Sequence, residues 1–134
     1  MTTHALVAIV TLLALILYFV MSLQVARARS QYNVAAPAIS GNLDFERVFR
    51  VQANTLEWLP LFLVSLWLFA IFWNDRIAAI VGVVWIVGRI IYALGYYRDP
   101  RQRGPGFLIQ ALATAALLFG ALGKIVYSLA TGNI

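Results

Sequence analysis

Ionisable and amide side chains interrupt an otherwise apolar stretch between residues 46 and 57. If this stretch is a helix, with about 100° between successive residues, one stripe roughly 100° wide carries most of them. The stripe consists of Glu46, Arg47, Arg50, Asn54 and Glu57. Gln52 points to nearly the opposite face. A polar stripe opposed by a single polar side chain indicates two different neighbours, as in an oligomer that binds ligands between its subunits.

A second polar group follows along the chain at helical spacing. Arg89, Tyr92 and Tyr96 are separated by three and four residues, so they share one helix face, and Arg103 lies in the next connection. Arginine forks bind carboxylates with two parallel hydrogen bonds, and phenols donate to anions. Because Glu57 can hold an ammonium group, the set suits a small zwitterion with more carboxylates than amines, such as a peptide.

A structural explanation of the same residues stays open at this point. Arg50 and Glu57 have the spacing of an ion pair that stabilises a helix bundle. Tyr96 and Tyr97 have the character of residues that anchor a helix at a membrane surface. Spacing alone does not separate a binding site from such a framework.

Several kinds of chemistry are excluded by composition. The chain has no cysteine, so any reactive thiol must arrive on a ligand. Its one histidine, His4, has no second histidine to share a metal ion, and we expect no metal site. The formal net charge is +5. In a chain this apolar, that charge indicates anionic headgroups or an anionic ligand as partners, not nucleic acid.

The composition is that of a membrane protein. Of 134 residues 63% are hydrophobic and 11% charged, whereas soluble domains are about half apolar and a quarter charged. About 20 apolar residues cross a bilayer as a helix. The sequence therefore predicts an all-α integral membrane fold, a four-transmembrane-helix bundle in one domain over residues 1–134. The predicted helices cover residues 5–29, 44–73, 77–97 and 107–129.

Two features of these spans need interpretation. The first span has no basic segment before its apolar run, which favours a transmembrane helix over the alternative of a signal peptide cleaved near Ala28. The second span contains Pro60, which has no N–H to donate to the carbonyl one turn earlier. Neighbouring helices can supply a donor to that carbonyl, so a kink is expected at Pro60 and not a helix end. Residues 98–106, with two prolines, are expected to form a loop.

The distribution of basic residues predicts the orientation. The first and third connections carry most of them: Arg27, Arg29, Arg98, Arg101 and Arg103. The second connection has only Arg76. By the positive-inside rule the first and third loops face the cytoplasm and both termini lie on the other side.

These motifs carry a resemblance to a known family. The segment FERVFRVQAN (residues 45–54), Glu57, Arg89-Ile90-Ile91-Tyr92 and Gly95-Tyr96 resemble the MAPEG proteins, membrane-associated proteins in eicosanoid and glutathione metabolism. The similarity is greatest to the branch of the microsomal glutathione S-transferases and the cysteinyl-leukotriene synthase. It extends from residues 22–25 to Arg103 and so covers most of the chain. Compared with that family, the compact loops and short tail resemble a bacterial member, which implies the bacterial inner membrane.

The resemblance implies a homotrimer with glutathione bound between adjacent subunits. Residues matching the family's glutathione-binding positions are Arg50, Asn54, Glu57, Arg89, Tyr92 and Tyr96. Arg29 and Gln52 match positions contributed by the neighbouring subunit. Arg103 matches the arginine that holds the glutathione sulfur as a thiolate, which implies a glutathione transferase for lipophilic electrophiles. Reduction of lipid hydroperoxides is a further activity that the resemblance suggests.

Two departures and two rival functions accompany this expectation. Ser30 replaces a second arginine of the synthase, and Trp58 replaces a tyrosine, so no leukotriene-forming role is inherited. One rival is a lipid-binding scaffold of the same fold without catalysis. The other is a small proton-coupled drug exporter that uses Glu57 as its proton carrier.

Overall fold

Four long helices form the protein in the computed structural model, which describes residues 4–133. They are α1 (Ala5–Tyr32), α2 (Leu43–Phe72), α3 (Asp75–Arg98) and α4 (Gly104–Thr131), with a single 3-10 turn at Pro100–Arg103 before α4. Each helix is long and apolar enough to cross a membrane. The expected all-α architecture with four membrane-crossing helices is confirmed for these residues.

The helix bounds differ from the predicted ones mainly around the connections. Helix α1 continues to Tyr32 and ends where Asn33 adopts a left-handed conformation with φ 56°. Helix α2 is continuous through Pro60. The expectation of a loop over residues 98–106 is wrong, because Pro100 and Pro105 each occupy a first-turn position of a helix. Proline suits such positions, where its missing N–H has no helical partner.

The core lies between α1, α2, α3 and α4, with α3 in contact with each of the other three helices. Phe62 of α2 stacks on Trp85 of α3 with 4.0 Å between ring centroids, and both side chains are fully buried. Large apolar side chains cover much of the outside, including Ile16 and Phe19 of α1 and Phe119 of α4. An apolar core inside an apolar exterior is the pattern of a bundle surrounded by lipid.

Small residues let the first turns of α4 lie directly against α3. A Cβ at Gly106 would overlap the backbone of Tyr92, and one at Gly88 would lie 2.8 Å from the backbone nitrogen of Gln110. Glycine is the residue that permits such approach of two backbones. The contact fixes the start of α4, and with it Arg103, beside Tyr92.

Most arginines gather at one end of the bundle, where α1 and α3 end and α2 and α4 begin. We call this the arginine-rich end. Asn42 begins α2 by accepting a hydrogen bond from the N–H of Phe45 at 3.0 Å. At the opposite end Asn74 begins α3 by accepting one from the N–H of Ile77. These caps satisfy N–H groups that a helix start leaves without partners.

Candidate functional site

A groove opens near the arginine-rich end between α2, α3 and the start of α4. Its volume is about 320 Å³, and its lining consists of Arg50, Asn54, Tyr92, Tyr96, Arg103 and Phe107. The structure thus brings together five of the residues that the sequence singled out. The groove has an apolar wall of aromatic rings and a rim that carries two guanidinium groups.

Aromatic packing shapes the inner wall of the groove. Tyr92 is almost fully buried, and its ring centroid lies 5.6 Å from that of Tyr96 and 6.1 Å from that of Phe107. Phe107 in turn meets Trp58 edge to face at 5.4 Å. Tilted and edge-to-face contacts at these distances stabilise a fixed arrangement of rings. Sequence reasoning missed Phe107, whose position two residues after Pro105 in the first turns of α4 gave no separate signal.

Arg89 lies behind the groove and not in it. The side chain is fully buried, and its Nη1 donates to Asn54 Oδ1 at 3.0 Å while Nη2 donates to Thr55 Oγ1 at 2.6 Å. The guanidinium carbon also lies 4.3 Å from the centre of the Tyr92 ring. Arg89 therefore holds Asn54 and Tyr92 in place from inside the bundle.

Thr55 is the second residue that the sequence analysis missed. It is fully buried, accepts the hydrogen bond from Arg89, and donates its own hydroxyl to the carbonyl of Val51 at 2.8 Å. The available signal was a hydroxyl inside an apolar span, because polar groups there need partners. Arg89, which is buried in α3, is that partner.

A polar chain connects the buried arginine to the groove rim. Asn54 Nδ2 donates to Glu57 Oε1 at 3.4 Å, and Glu57 Oε1 lies 3.8 Å from Arg50 Nη2. The Arg50 and Glu57 side chains are 51% and 59% exposed. Ion pairs this exposed contribute little stability. Both charges are therefore available to a ligand.

Arg103 stands at the mouth of the groove, in the turn that leads into α4. Its Nη1 donates to the carbonyl of Pro100 at 2.9 Å, and the side chain is exposed. In the same turn Arg101 donates hydrogen bonds to the Asp99 carboxylate, which hold the pKa of Asp99 below its usual range. The guanidinium of Arg103 is near the N-terminus of α4, and both favour an anion.

Arg29 and Gln52 lie away from the groove of their own chain. Gln52 Nε2 donates to the Tyr18 hydroxyl at 2.9 Å and to Ser22 Oγ at 3.4 Å. Arg29 Nη1 donates to the carbonyl of Ala38 at 2.7 Å. The side chain thus rests on the connection between α1 and α2. The structure therefore separates these two residues from the other candidates within one chain.

The described part of the chain offers no metal centre, since residues 4–133 contain no group of three or more histidine, cysteine, aspartate or glutamate side chains close enough to hold an ion. The chemistry of the groove rests on arginines, phenols and one amide, with the Glu57 carboxylate beside Arg50 and Asn54. Such groups bind and orient a charged organic molecule and stabilise an anion on it.

Four long apolar helices indicate an integral membrane protein, and an arginine- and tyrosine-lined groove opens near one end of it. A family model named "MAPEG family" matches residues 7–123. The chain belongs to the MAPEG family, which confirms the resemblance drawn from residues 45–54 and 89–96.

Relatives from bacteria and mammals cover most of the chain. An uncharacterized protein of Synechocystis is 52% identical over 91% of this chain and 89% of its own length. Human microsomal glutathione S-transferase 2 is 42% identical over 76% of this chain and 70% of its own. Rat leukotriene C4 synthase is 41% identical over 93% of this chain and 84% of its own.

Proposed function

We propose that this protein is a membrane-bound glutathione transferase that conjugates glutathione to lipophilic electrophiles. The observation that carries the proposal is the groove in which Arg50, Asn54, Tyr92, Tyr96 and Arg103 converge. The human relative is named a microsomal glutathione S-transferase, and this name supports glutathione as the ligand of the groove. Glutathione is the co-substrate, and no metal takes part.

The charges of the groove match the charges of glutathione. The tripeptide has two carboxylates and one ammonium group. Arg50 is placed to bind a carboxylate, Glu57 to hold the ammonium, and Asn54 to bond the peptide backbone, while Tyr92 and Tyr96 form the wall. Arg89 acts from behind by holding Asn54 and Tyr92. This arrangement accounts for each polar residue that the groove presents.

Arg103 supplies the chemical activation. A free thiol has a pKa of about 8.5, and a nearby guanidinium in a partly dry site lowers it by favouring the anion. The thiol proton leaves to solvent, the thiolate forms a bond to the electrophilic carbon, and the leaving group departs with the bond electrons. With a lipid hydroperoxide, the same thiolate attacks the terminal peroxide oxygen; the O–O bond breaks, the lipid alkoxide takes up a proton and leaves as the alcohol, and the sulfur becomes a sulfenic acid. A second glutathione then attacks this sulfur and releases water, which leaves glutathione disulfide as the oxidised product.

The proposed assembly is a homotrimer in which each groove is completed by a neighbouring chain. Arg29 and Gln52 are the residues assigned to the neighbour, and their position away from the groove of their own chain supports this division. The protein lies in a bacterial inner membrane with the arginine-rich end toward the cytoplasm, where glutathione is available. Lipophilic electrophiles reach the groove by diffusion within the bilayer.

The rival functions make different demands on the site. A scaffold needs no group to stabilise a thiolate, whereas Arg103 lines the groove. A proton-coupled exporter needs a carboxylate without fixed partners. Glu57 instead accepts from Asn54 and lies beside Arg50. Both observations favour the transferase.

Turnover of a chromogenic electrophile by the detergent-purified protein tests the proposal. The expected result is conjugation that saturates with glutathione and falls at least tenfold in Arg50→Ala and Tyr92→Phe combined. Arg76→Ala, at the opposite end of the bundle, is the control and retains activity. Glutathione binding without conjugation of any electrophile would favour the scaffold, and proton-driven transport abolished by Glu57→Gln would favour the exporter.

A further inference from the structure

A second pocket lies at the arginine-rich end, where the end of α1 meets the start of α2 and the end of α3. Its volume is about 280 Å³, and it shares no lining residue with the groove. The lining residues that matter here are Gln24, Arg27, Asp44, Arg47, Val48 and Tyr97. We call it the α1–α2 pocket.

The charges around this pocket are not used by other side chains. Among residues 4–133, Arg27, Arg47 and Asp44 form no ion pair, and Arg47 only donates to the backbone carbonyl of Arg98 at 3.4 Å. In the same part of the bundle the Asp99 carboxylate is paired with Arg101. Two cations and one anion around one pocket suit a ligand with both an anionic and a cationic group.

A hydrogen bond across the pocket fixes its shape. The Tyr97 hydroxyl donates to Gln24 Oε1 at 2.9 Å and so connects the end of α3 to α1. The bond uses the carbonyl oxygen of Gln24, and the amide N–H groups remain available to an oxygen of a ligand. Val48 supplies an apolar wall. The pocket therefore combines donors for an oxyanion with a surface for the carbon atoms beside it.

The position of the pocket along α1 places it at the membrane boundary. Arg27 is the first charged residue after the long apolar run of α1. Residues four apart lie above one another on a helix, so Leu23 lies directly below Arg27 and Val20 below Gln24. Leu23 and Val20 are 55% and 43% exposed. An acyl chain that leaves the pocket toward the bilayer centre would run along these two side chains.

We propose that the α1–α2 pocket binds the headgroup of a phospholipid whose phosphate ester carries a primary ammonium group. Arg27 and Arg47 bind the phosphate, and Asp44 accepts hydrogen bonds from the ammonium. Guanidinium groups match phosphate oxygens with two parallel hydrogen bonds. A trimethylated ammonium cannot donate to Asp44, so the pocket distinguishes phosphatidylethanolamine from phosphatidylcholine.

Native mass spectrometry of the full-length protein with phospholipids of identical acyl chains tests the proposal. The wild type should retain phosphatidylethanolamine about tenfold better than phosphatidylcholine, since one charge-assisted bond is lost in the latter. Asp44→Asn should remove that preference, and Arg27→Gln with Arg47→Gln should lower retention of both lipids. Arg76→Gln, the matched control at the other end, should change neither. A wild type without the preference, or a double variant that binds like wild type, would overturn the proposal.

Soluble competitors distinguish the sources of the ligand. Displacement of the lipid by O-phosphoethanolamine would show that the pocket also binds the free headgroup without its acyl chains. If O-phosphoethanolamine does not displace the lipid while lipid retention still depends on Arg27 and Arg47, the pocket binds only the intact lipid. Displacement by glutathione alone would make the pocket a peptide site and contradict the proposal. The proposed transferase is tested separately, because these variants should leave the dissociation constant of glutathione within about twofold of wild type.

Discussion

At the scale of single residues, Arg89 shows how a buried charge can serve a site that it does not line. Its guanidinium donates to Asn54 and Thr55 and lies over the ring of Tyr92. Burial of a charge is costly unless hydrogen bonds compensate it. Arg89 is therefore expected to act as a positioning residue, whereas the resemblance had implied a residue that binds glutathione directly.

Arg89→Lys should weaken glutathione binding because a single ammonium group cannot reproduce the two-armed contact with Asn54 and Thr55. Each buried polar group that loses its partner costs about 1–3 kcal/mol, so we expect a dissociation constant raised at least tenfold and a lower melting temperature. Isothermal titration calorimetry and thermal unfolding in detergent measure the two effects. Arg76→Lys, exposed at the opposite end, is the control. Wild-type affinity in Arg89→Lys would contradict the positioning role.

At the scale of helices, the contact between α3 and α4 determines where Arg103 stands. Gly106 lies against the backbone of Tyr92, and the prolines at positions 100 and 105 start helical turns. The sequence predicted four helices and their approximate ends from apolar runs alone. It did not predict the helical turn before α4, because proline occurs both in loops and in the first turn of a helix, and the spacing of Pro100 and Pro105 does not distinguish the two.

Gly106→Ala should force α3 and α4 apart, because the new methyl group would overlap the backbone of Tyr92. Overpacking of this kind typically costs about 1–3 kcal/mol. We expect a lower melting temperature together with a loss of conjugation, since Arg103 moves relative to Tyr92. Gly123→Ala is the matched control in the same helix, where nothing lies within 4 Å of the added carbon. Equal stability and activity of the two variants would refute the role of this contact.

At the scale of the whole molecule, the groove and the pair Arg29 and Gln52 lie on different faces of one chain. The opposed direction of Gln52 followed from the helical angle alone. Its hydrogen-bond partners, Tyr18 and Ser22 of α1, could not be predicted from the helical angle, because they depend on how α1 packs against α2. Sequence spacing predicts which residues share a face, whereas contacts between helices come from packing that the spacing does not encode.

Mixed assemblies test whether two chains form each site. We expect Arg50→Ala and Arg29→Ala each to lose most activity when expressed alone. Co-expression should restore about one site in four in a randomly mixed ring, because some grooves with Arg50 then meet a neighbour with Arg29. Conjugation rates of the purified mixture, with assembly mass from native mass spectrometry, provide the measurement. No recovery in verified mixed trimers would place both residues in the site of a single chain.

The central claim is that Arg103 stabilises the thiolate of bound glutathione. Ultraviolet difference absorbance during a glutathione titration at neutral pH reports the thiolate directly. The wild type should show a thiolate band that saturates with glutathione. Arg98→Ala, which removes an exposed arginine near the same end, should keep the band, and Arg103→Ala should bind glutathione with the band absent. A band of equal size in Arg103→Ala would contradict the account.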